Sequence, residues 1–191
     1  MMSGQETIYG RDAMNEYRLI LDTPAIVKRK IADEKIVFDL DYRGTVISGG
    51  NPCIYLALFS QHVSKELMIC DALEKVAMGF MPFKVHLRNF GFCDGHEVYI
   101  ALDNTAPVDR LVEQIKQVTQ WTTLNPVFNE LPRLTLGRRL HVWQFEKSRQ
   151  LYEKKHFAAT FLSNAMLVLK RMEGFRNWQI LKHLEFQNQL V

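Results

Sequence analysis

The sequence predicts an α+β protein made of two similar halves, and three observations lead to this fold class. The 191 residues are 47% hydrophobic and 24% charged, enough apolar material for one large domain or two lobes that share a core. Segments with the two-residue alternation of strands are interspersed with segments in which apolar residues recur at helical spacing. The same order of elements occurs twice, from Tyr17 and again from Val98.

The first half contains three predicted strands and two predicted helices. Thr23 followed by Pro24 indicates a helix start, because proline is favoured at the first helical position. Phe83, Val85 and Leu87 alternate with polar residues, as in a half-buried strand. In order, we predict a strand at 17–21, a helix at 24–40, a glycine-rich loop at 41–52, a strand at 53–59, a helix at 65–77 and a strand at 83–89.

The second half repeats this order and then adds strands. Asp94-Gly95 marks a tight hairpin turn between two strands. Leu111, Val112 and Ile115 give the next segment its helical recurrence. We predict a strand at 97–102, a helix at 108–121, a proline-punctuated connection at 125–132, a strand at 134–136, a helix at 142–154, and strands at 157–162, 165–171 and 179–186.

Charge and composition limit the classes of protein to which the chain can belong. Its formal net charge is +3, too weak an imbalance to indicate nucleic-acid binding by itself. The longest apolar stretch, 54–59, is shorter than the roughly 18 residues that a membrane span requires. The three cysteines have no framework spacing and are typical of free thiols in a reducing compartment. We therefore predict a cytoplasmic protein without a membrane anchor.

The start of the chain lacks the continuous apolar core of a secretory signal peptide. Polar and charged residues are spread through it instead. We predict a polar, flexible leader at 1–15 and a single two-lobed domain at 16–191.

The internal repeat is also visible in the letters of two predicted strands. Pro52-Cys53-Ile54-Tyr55-Leu56 corresponds to Pro132-Arg133-Leu134-Thr135-Leu136. In both, a proline precedes two positions that point to the same face of the strand, separated by an aliphatic residue. Two lobes related by a pseudo-twofold axis would bring these positions face to face across a cleft.

These segments resemble a known family. The stretch 131–186 resembles the C-terminal half of the 2H phosphoesterase superfamily, in particular its bacterial 2′-5′ RNA ligase-like branch. PCIYLALF and FKVHLRNFGFCDGHEVYIAL resemble the corresponding segments of the first half, so the resemblance extends from Glu16 to Phe186. It implies two antiparallel sheets that flank a central cleft, with helices on the outside. It also implies chemistry on 2′,3′-cyclic phosphates or 2′-5′ linkages of RNA.

The family's signature is His-x-Thr or His-x-Ser, once in each lobe. Two imidazoles are needed because one activates water and the other protonates the leaving oxygen, both near neutral pH. Here the two motifs read Cys53-Ile54-Tyr55 and Arg133-Leu134-Thr135. Both histidines are replaced, and only Thr135 matches the signature. The sequence leaves enzymatic activity open and predicts that histidine-based catalysis has been lost.

The replacements suggest binding in place of proton transfer. Arginine stays protonated at neutral pH, but its planar guanidinium suits bidentate binding of oxyanions. We therefore predict that Arg133 and Thr135 bind phosphate and that Tyr55 assists through its hydroxyl or by stacking on a base. The alternative for Tyr55 is an aromatic side chain that fills the space left by the imidazole.

Cys53 has two interpretations. As a base or nucleophile it would need a pKa below the usual value of about 8.5, and Arg133 across the cleft could lower it. As a structural residue it would be a small buried hydrophobe.

Three further basic residues are candidates for the lining of the cleft. His86 lies on the polar face of its predicted strand, and Arg138 and Arg139 follow the second motif in a run that resembles the family. The alternatives are a solvated sheet face for His86 and pairing of the two arginines with Glu146 or Glu153. Cys93-Asp94-Gly95-His96 contains metal-ligating residue types, but it is better explained as a hairpin turn, and no second pair lies at zinc-site spacing. We predict no metal and no cofactor.

Three hypotheses about function remain open from the sequence. The first is a catalytically defective 2H phosphoesterase-like protein that binds a phosphate-bearing ligand, such as a nucleotide or an RNA end, in a basic cleft. The second is an active cyclic phosphodiesterase or RNA ligase-like enzyme that uses Cys53, Tyr55 or His86. The third is a structural interaction scaffold whose cleft is filled by its own side chains. The oligomeric state is left open.

Overall fold

The structure is a computed structural model that describes residues 13–42 and 52–189. These residues form nine strands and four α-helices. In chain order they are β1 (Met14–Asp22), α1 (Ala25–Tyr42), β2 (Cys53–His62), α2 (Glu66–Gly79), β3 (Phe83–Cys93), β4 (Glu97–Leu102), α3 (Ala106–Thr119), β5 (Leu124–Phe128), β6 (Arg133–Gly137), α4 (Val142–Tyr152), β7 (Ala158–Ser163), β8 (Ala165–Met172) and β9 (Gln179–Glu185).

Two antiparallel sheets divide the strands between them. The first has five strands in the order β5-β2-β1-β8-β9, and the second has four in the order β6-β4-β3-β7. Each sequence motif begins a strand, β2 in the first sheet and β6 in the second. The predicted fold class, α+β with two antiparallel sheets and helices outside them, is confirmed.

Each sheet has one face covered by helices, because its apolar residues alternate onto that face. Helices α2 and α3 pack on the first sheet, and helices α1 and α4 pack on the second. Ile54 and Leu56 of β2 are fully buried on the covered side of the first sheet, and Leu134 and Leu136 of β6 are buried on that of the second. The alternate residues of β2 and β6 are only half-buried and lie on the helix-free faces.

One predicted connection is a strand. We expected an irregular stretch at 125–132, but residues 124–128 form β5 and pair with β2. We predicted no strand here because Pro126 has no backbone N–H to donate to a neighbouring strand. However, β5 lies at the edge of the sheet, and an edge strand tolerates proline because one of its sides has no partner strand.

Strand β1 begins at Met14 and so includes the last two residues of the predicted polar leader. Asn15 is only 5% exposed and pairs with Gln61 of β2 and Met172 of β8. Residues 1–12 and most of the predicted loop, 43–51, lie outside the described residues.

Candidate functional site

The first motif lies on the helix-free face of the five-stranded sheet. Cys53 and Tyr55 are both half-buried on β2, on either side of the fully buried Ile54. Antiparallel pairing places Asp22 opposite Cys53 and Ile20 opposite Tyr55. The two motif side chains therefore share a face with the polar positions of β1, among them Arg18.

Arg18 sits between two aromatic rings. Its guanidinium carbon lies 4.2 Å from the centroid of the Trp178 ring and 5.6 Å from that of the Tyr55 ring. Its Nε atom is buried and has no hydrogen-bond partner. No carboxylate of residues 13–42 or 52–189 forms an ion pair with it. Arg18 is thus a partly buried cation that packs against aromatic rings and has an Nε–H donor without a partner among the described residues.

A second arginine extends this surface. The guanidinium carbon of Arg171 lies 4.9 Å from the centroid of the same Trp178 ring, and Arg171 also donates to Glu16. We call Arg18, Tyr55, Arg171 and Trp178 the Arg18 surface. It combines positive charge with flat aromatic rings, a combination that suits phosphate and stacked bases.

The second motif lies on the helix-free face of the four-stranded sheet and is bound to a carboxylate. Arg133 donates through Nε and Nη2 to the two carboxylate oxygens of Glu97, at 3.1 and 3.0 Å. The Thr135 hydroxyl donates to Oε1 of the same carboxylate at 2.5 Å. We call Arg133, Thr135 and Glu97 the Glu97 network. Burial disfavours the charged guanidinium, but the hydrogen bond to Glu97 and the negative charge of that carboxylate together outweigh burial and raise the pKa of Arg133, so it stays protonated.

The Tyr99 ring packs against the Arg133 guanidinium of the Glu97 network. The Arg133 Cα pairs with Ala101, so its side chain runs back along β4 to reach Glu97, with the guanidinium 5.0 Å from the Tyr99 ring centroid. Gly91 on β3 pairs with Tyr99, and a Cβ there would lie 2.4 Å from the ring. The missing side chain at Gly91 is what lets the ring lie against β3.

The two motif strands approach each other where the sheets meet. β2 and β6 are in contact, and Asn129, in the connection from β5 to β6, bonds to β2. Its side chain donates to the Tyr55 carbonyl at 2.6 Å, and its backbone N–H donates to the Leu56 carbonyl at 2.9 Å. The strand placement agrees with the predicted duplication. The motif residues nonetheless have separate partners, Arg18 in the first sheet and Glu97 in the second.

Comparison with solved structures identifies this arrangement. The chain is similar to Escherichia coli LigT bound to 3′-AMP, with a TM-score of 0.68 and 13% identity over 91% of this chain and 98% of LigT. It is also similar to a structure described as a phosphoesterase, with a TM-score of 0.67 and 12% identity over 93% of this chain and 99% of the other. A third similar structure is the protein TT0787 of Thermus thermophilus, with a TM-score of 0.67 and 13% identity over 92% of this chain and 100% of TT0787.

The chain has the 2H phosphoesterase fold. No model of a known protein family matches the sequence, and no curated protein matches it. The shared architecture therefore extends over nearly the whole chain, whereas the sequence has diverged far from these structures.

Within the 2H phosphoesterase fold, the first motif position holds a thiol that keeps its proton. Burial raises the pKa of the Cys53 thiol, more than the neighbouring Arg18 guanidinium lowers it. The other charges that act on the thiol are those of Asp22, Lys35 and Lys28. Arg133, which we expected to lower the pKa of Cys53, is not among them. Cys53 is therefore a protonated, half-buried thiol at neutral pH, and the predicted lowering of its pKa by Arg133 is not what the structure shows.

Tyr55 also keeps its proton. Burial raises the pKa of its hydroxyl, against the opposing effect of Arg18. A protonated hydroxyl next to a guanidinium can donate to an oxyanion.

The other three predicted cleft residues lie apart from the motifs. His86 is exposed on β3, and its Nδ1 lies 3.0 Å from the Thr160 hydroxyl. Arg138 and Arg139 follow the far end of β6, where the next residue, Leu140, bonds to His96 of the hairpin turn. Both arginines are exposed, and Glu153, one of their expected partners, pairs with Arg149 instead.

Four residues of the site were not predicted from the sequence. Arg18, Arg171 and Trp178 lie far from the motifs along the chain and carry no motif of their own, and Glu97 begins the return strand of the hairpin. Strand alternation alone places Glu97 on the same face as Tyr99, but its partner on β6 depends on the pairing register.

A cavity of about 280 Å³ adjoins the Arg18 surface at the far end of β1. Glu16, Ser60, Arg171 and Phe175 are among the residues that line it. A larger cavity, about 590 Å³, lies between α3 and β5.

Within 13–42 and 52–189, no three His, Cys, Asp or Glu side chains are grouped so as to hold a metal ion. None of the helices described there is long and apolar enough to cross a membrane.

Proposed function

We propose that this chain binds a phosphate-bearing ligand, such as a nucleotide or an RNA end, and does not cleave it by the two-histidine mechanism. The observation that carries the proposal is the Arg18 guanidinium, which has no carboxylate partner among the described residues and lies between Tyr55 and Trp178. The guanidinium of a half-buried arginine without a carboxylate partner is suited to bind an oxyanion from a ligand.

The chemistry of the neighbouring side chains fits the same ligand class. The Tyr55 hydroxyl can donate a second bond to a phosphate oxygen, and the Trp178 ring can stack on a base. Solved structures of LigT hold 3′-AMP, NADP⁺, ATP and phosphate. The shared fold supports a ligand of this kind for the present chain.

The proposed loss of the two-histidine mechanism rests on the two residues that replace the histidines. Hydrolysis of a cyclic phosphate needs one group that accepts a proton and another that donates one near neutral pH. A buried thiol with a raised pKa and a permanently charged guanidinium, Cys53 and Arg133, supply neither. Arg133 and Thr135 belong to the second half of the proposed site, where they can bind phosphate once the Glu97 carboxylate leaves them.

A second candidate function is an interaction scaffold without a small ligand. The Glu97 network favours it, because Arg133 and Thr135 are already satisfied by a carboxylate of the same chain. The two candidates differ in their response to a nucleotide.

Calorimetric titration with 3′-AMP separates them. We expect the wild-type protein to bind and Arg18→Gln to bind about tenfold more weakly or worse, because a hydrogen bond to a charged group is worth roughly 1.5–3 kcal/mol. Arg149→Gln is the matched control, since Arg149 is an exposed helical arginine paired with Glu153. No binding by the wild type, or equal binding by Arg18→Gln, would contradict the proposal.

A further inference from the structure

The Glu97 network has the geometry of an occupied anion site. The carboxylate receives three hydrogen bonds, two from Arg133 and one from Thr135. The side chains of Arg133 and Glu97 are only 25% and 15% exposed. All three residues lie on the helix-free face, at the second of the two motif positions.

A carboxylate and a phosphate compete for the same donors. Two oxygens of either group fit the parallel N–H bonds of a guanidinium. A threonine hydroxyl has one hydrogen to donate, and that of Thr135 points to Glu97. A phosphate can accept hydrogen bonds from the Arg133 guanidinium and the Thr135 hydroxyl only when the Glu97 carboxylate no longer occupies these donors.

We propose that Glu97 occupies the oxyanion position of the second motif and thereby sets how tightly the site holds a phosphate. This inference rests on the proposed function, because the competing ligand is the phosphate-bearing one. With Glu97 in place, Arg18 and Tyr55 carry the binding. With the carboxylate removed, Arg133 and Thr135 add their donors to the same ligand.

The size of the effect follows from competition. When only a fraction of the molecules has the carboxylate displaced, the apparent dissociation constant rises in inverse proportion to that fraction. Removing the carboxylate removes this penalty, along with the charge repulsion between Glu97 and the phosphate. We expect a gain in affinity of about tenfold or more, within the usual range of coupling between sites.

The experiment compares the affinities of variants for 3′-AMP and for inorganic phosphate. Glu97→Gln keeps the shape of the side chain and removes its charge, and Glu97→Ala is the second variant in case the amide replaces the carboxylate as an acceptor. Glu66→Gln is the matched control. Glu66 is also a half-buried carboxylate, with Lys170 at 2.7 Å and the Tyr17 hydroxyl at 2.6 Å, but it begins α2, away from the motifs.

The inference predicts tighter binding for both Glu97 variants and no change for Glu66→Gln. In the double variant Glu97→Gln/Arg133→Ala the gain should disappear, because Arg133 is the group that the carboxylate releases. Circular dichroism and the unfolding midpoint confirm that each variant is folded.

The outcomes distinguish this inference from the proposed function. If the wild type binds 3′-AMP through Arg18 and neither Glu97 variant binds more tightly, the inference is overturned and the proposed function stands. If the wild type does not bind but the Glu97 variants do, the inference stands and the Arg18 site is wrong. A gain that survives removal of Arg133 also overturns the inference.

Discussion

Gly91 and Tyr99 face each other on neighbouring strands so closely that a Cβ at Gly91 would lie 2.4 Å from the tyrosine ring. The ring uses the space that the missing side chain leaves, and the Arg133 guanidinium lies over it. A single glycine in β3 thus fixes the position of a motif residue in β6, two strands away.

Gly91→Ala should destabilise the protein. The added methyl must displace the Tyr99 ring, and overpacking of this kind typically costs about 1–3 kcal/mol. We expect a lower free energy of unfolding in urea denaturation. Because the clash is with Tyr99, the same substitution should cost much less in a Tyr99→Ala background.

Gly95→Ala is the control for this prediction. A Cβ at Gly95, in the turn of the same hairpin, meets no atom within 4 Å. Its unfolding free energy should stay within about 0.5 kcal/mol of the wild type, as for most surface substitutions. A Gly91→Ala protein as stable as Gly95→Ala would show that the tyrosine ring is not held in this way.

Local sequence patterns predicted most of the fold, because in most elements the apolar residues recur at the spacing of either a strand or a helix. The helix predicted at 142–154 is observed at Val142–Tyr152, and the strand predicted at 97–102 is observed at Glu97–Leu102. The repeat of strand, helix, strand, helix, strand was visible because both halves keep this order. β5 was missed because its pairing with β2 is a long-range contact that its own residues, with a central proline, do not indicate.

The candidate site was predicted only in part. The motif positions could be found because they repeat, and alternation placed Cys53 with Tyr55 and Arg133 with Thr135. Their partners could not be found, because the side chain of Arg133 runs along β4 to Glu97 and Arg18 is covered by a tryptophan 160 positions later in the chain. Such contacts depend on sheet order and side-chain direction, which a single sequence does not encode locally.

Cys53 should titrate as a buried thiol. Burial raises the pKa of Cys53 in the folded state, so the folded protein holds this proton more tightly than the unfolded chain. The resulting stability is fully present below the unfolded pKa of about 8.5 and is lost as pH rises through the folded value. We expect Cys53→Ser to lose less stability than the wild type between about pH 8 and pH 10.

Alkylation gives an independent measurement of the same thiol. The rate at which iodoacetamide modifies Cys53, followed by mass spectrometry of its peptide, should rise with pH with a midpoint above that of an unperturbed thiol, about 8.5. A midpoint near neutrality would identify Cys53 as an activated thiol and revive the enzymatic hypothesis.

The most direct test of binding without cleavage is phosphorus NMR of 2′,3′-cyclic AMP mixed with the wild-type protein. We expect the cyclic phosphate signal to shift or broaden as protein is added, this change to be much smaller with Arg18→Gln at the same concentration, and no 2′- or 3′-monophosphate signal to appear. Monophosphate that accumulates in proportion to the wild-type protein would contradict the account, and so would a cyclic phosphate signal that the protein leaves unchanged.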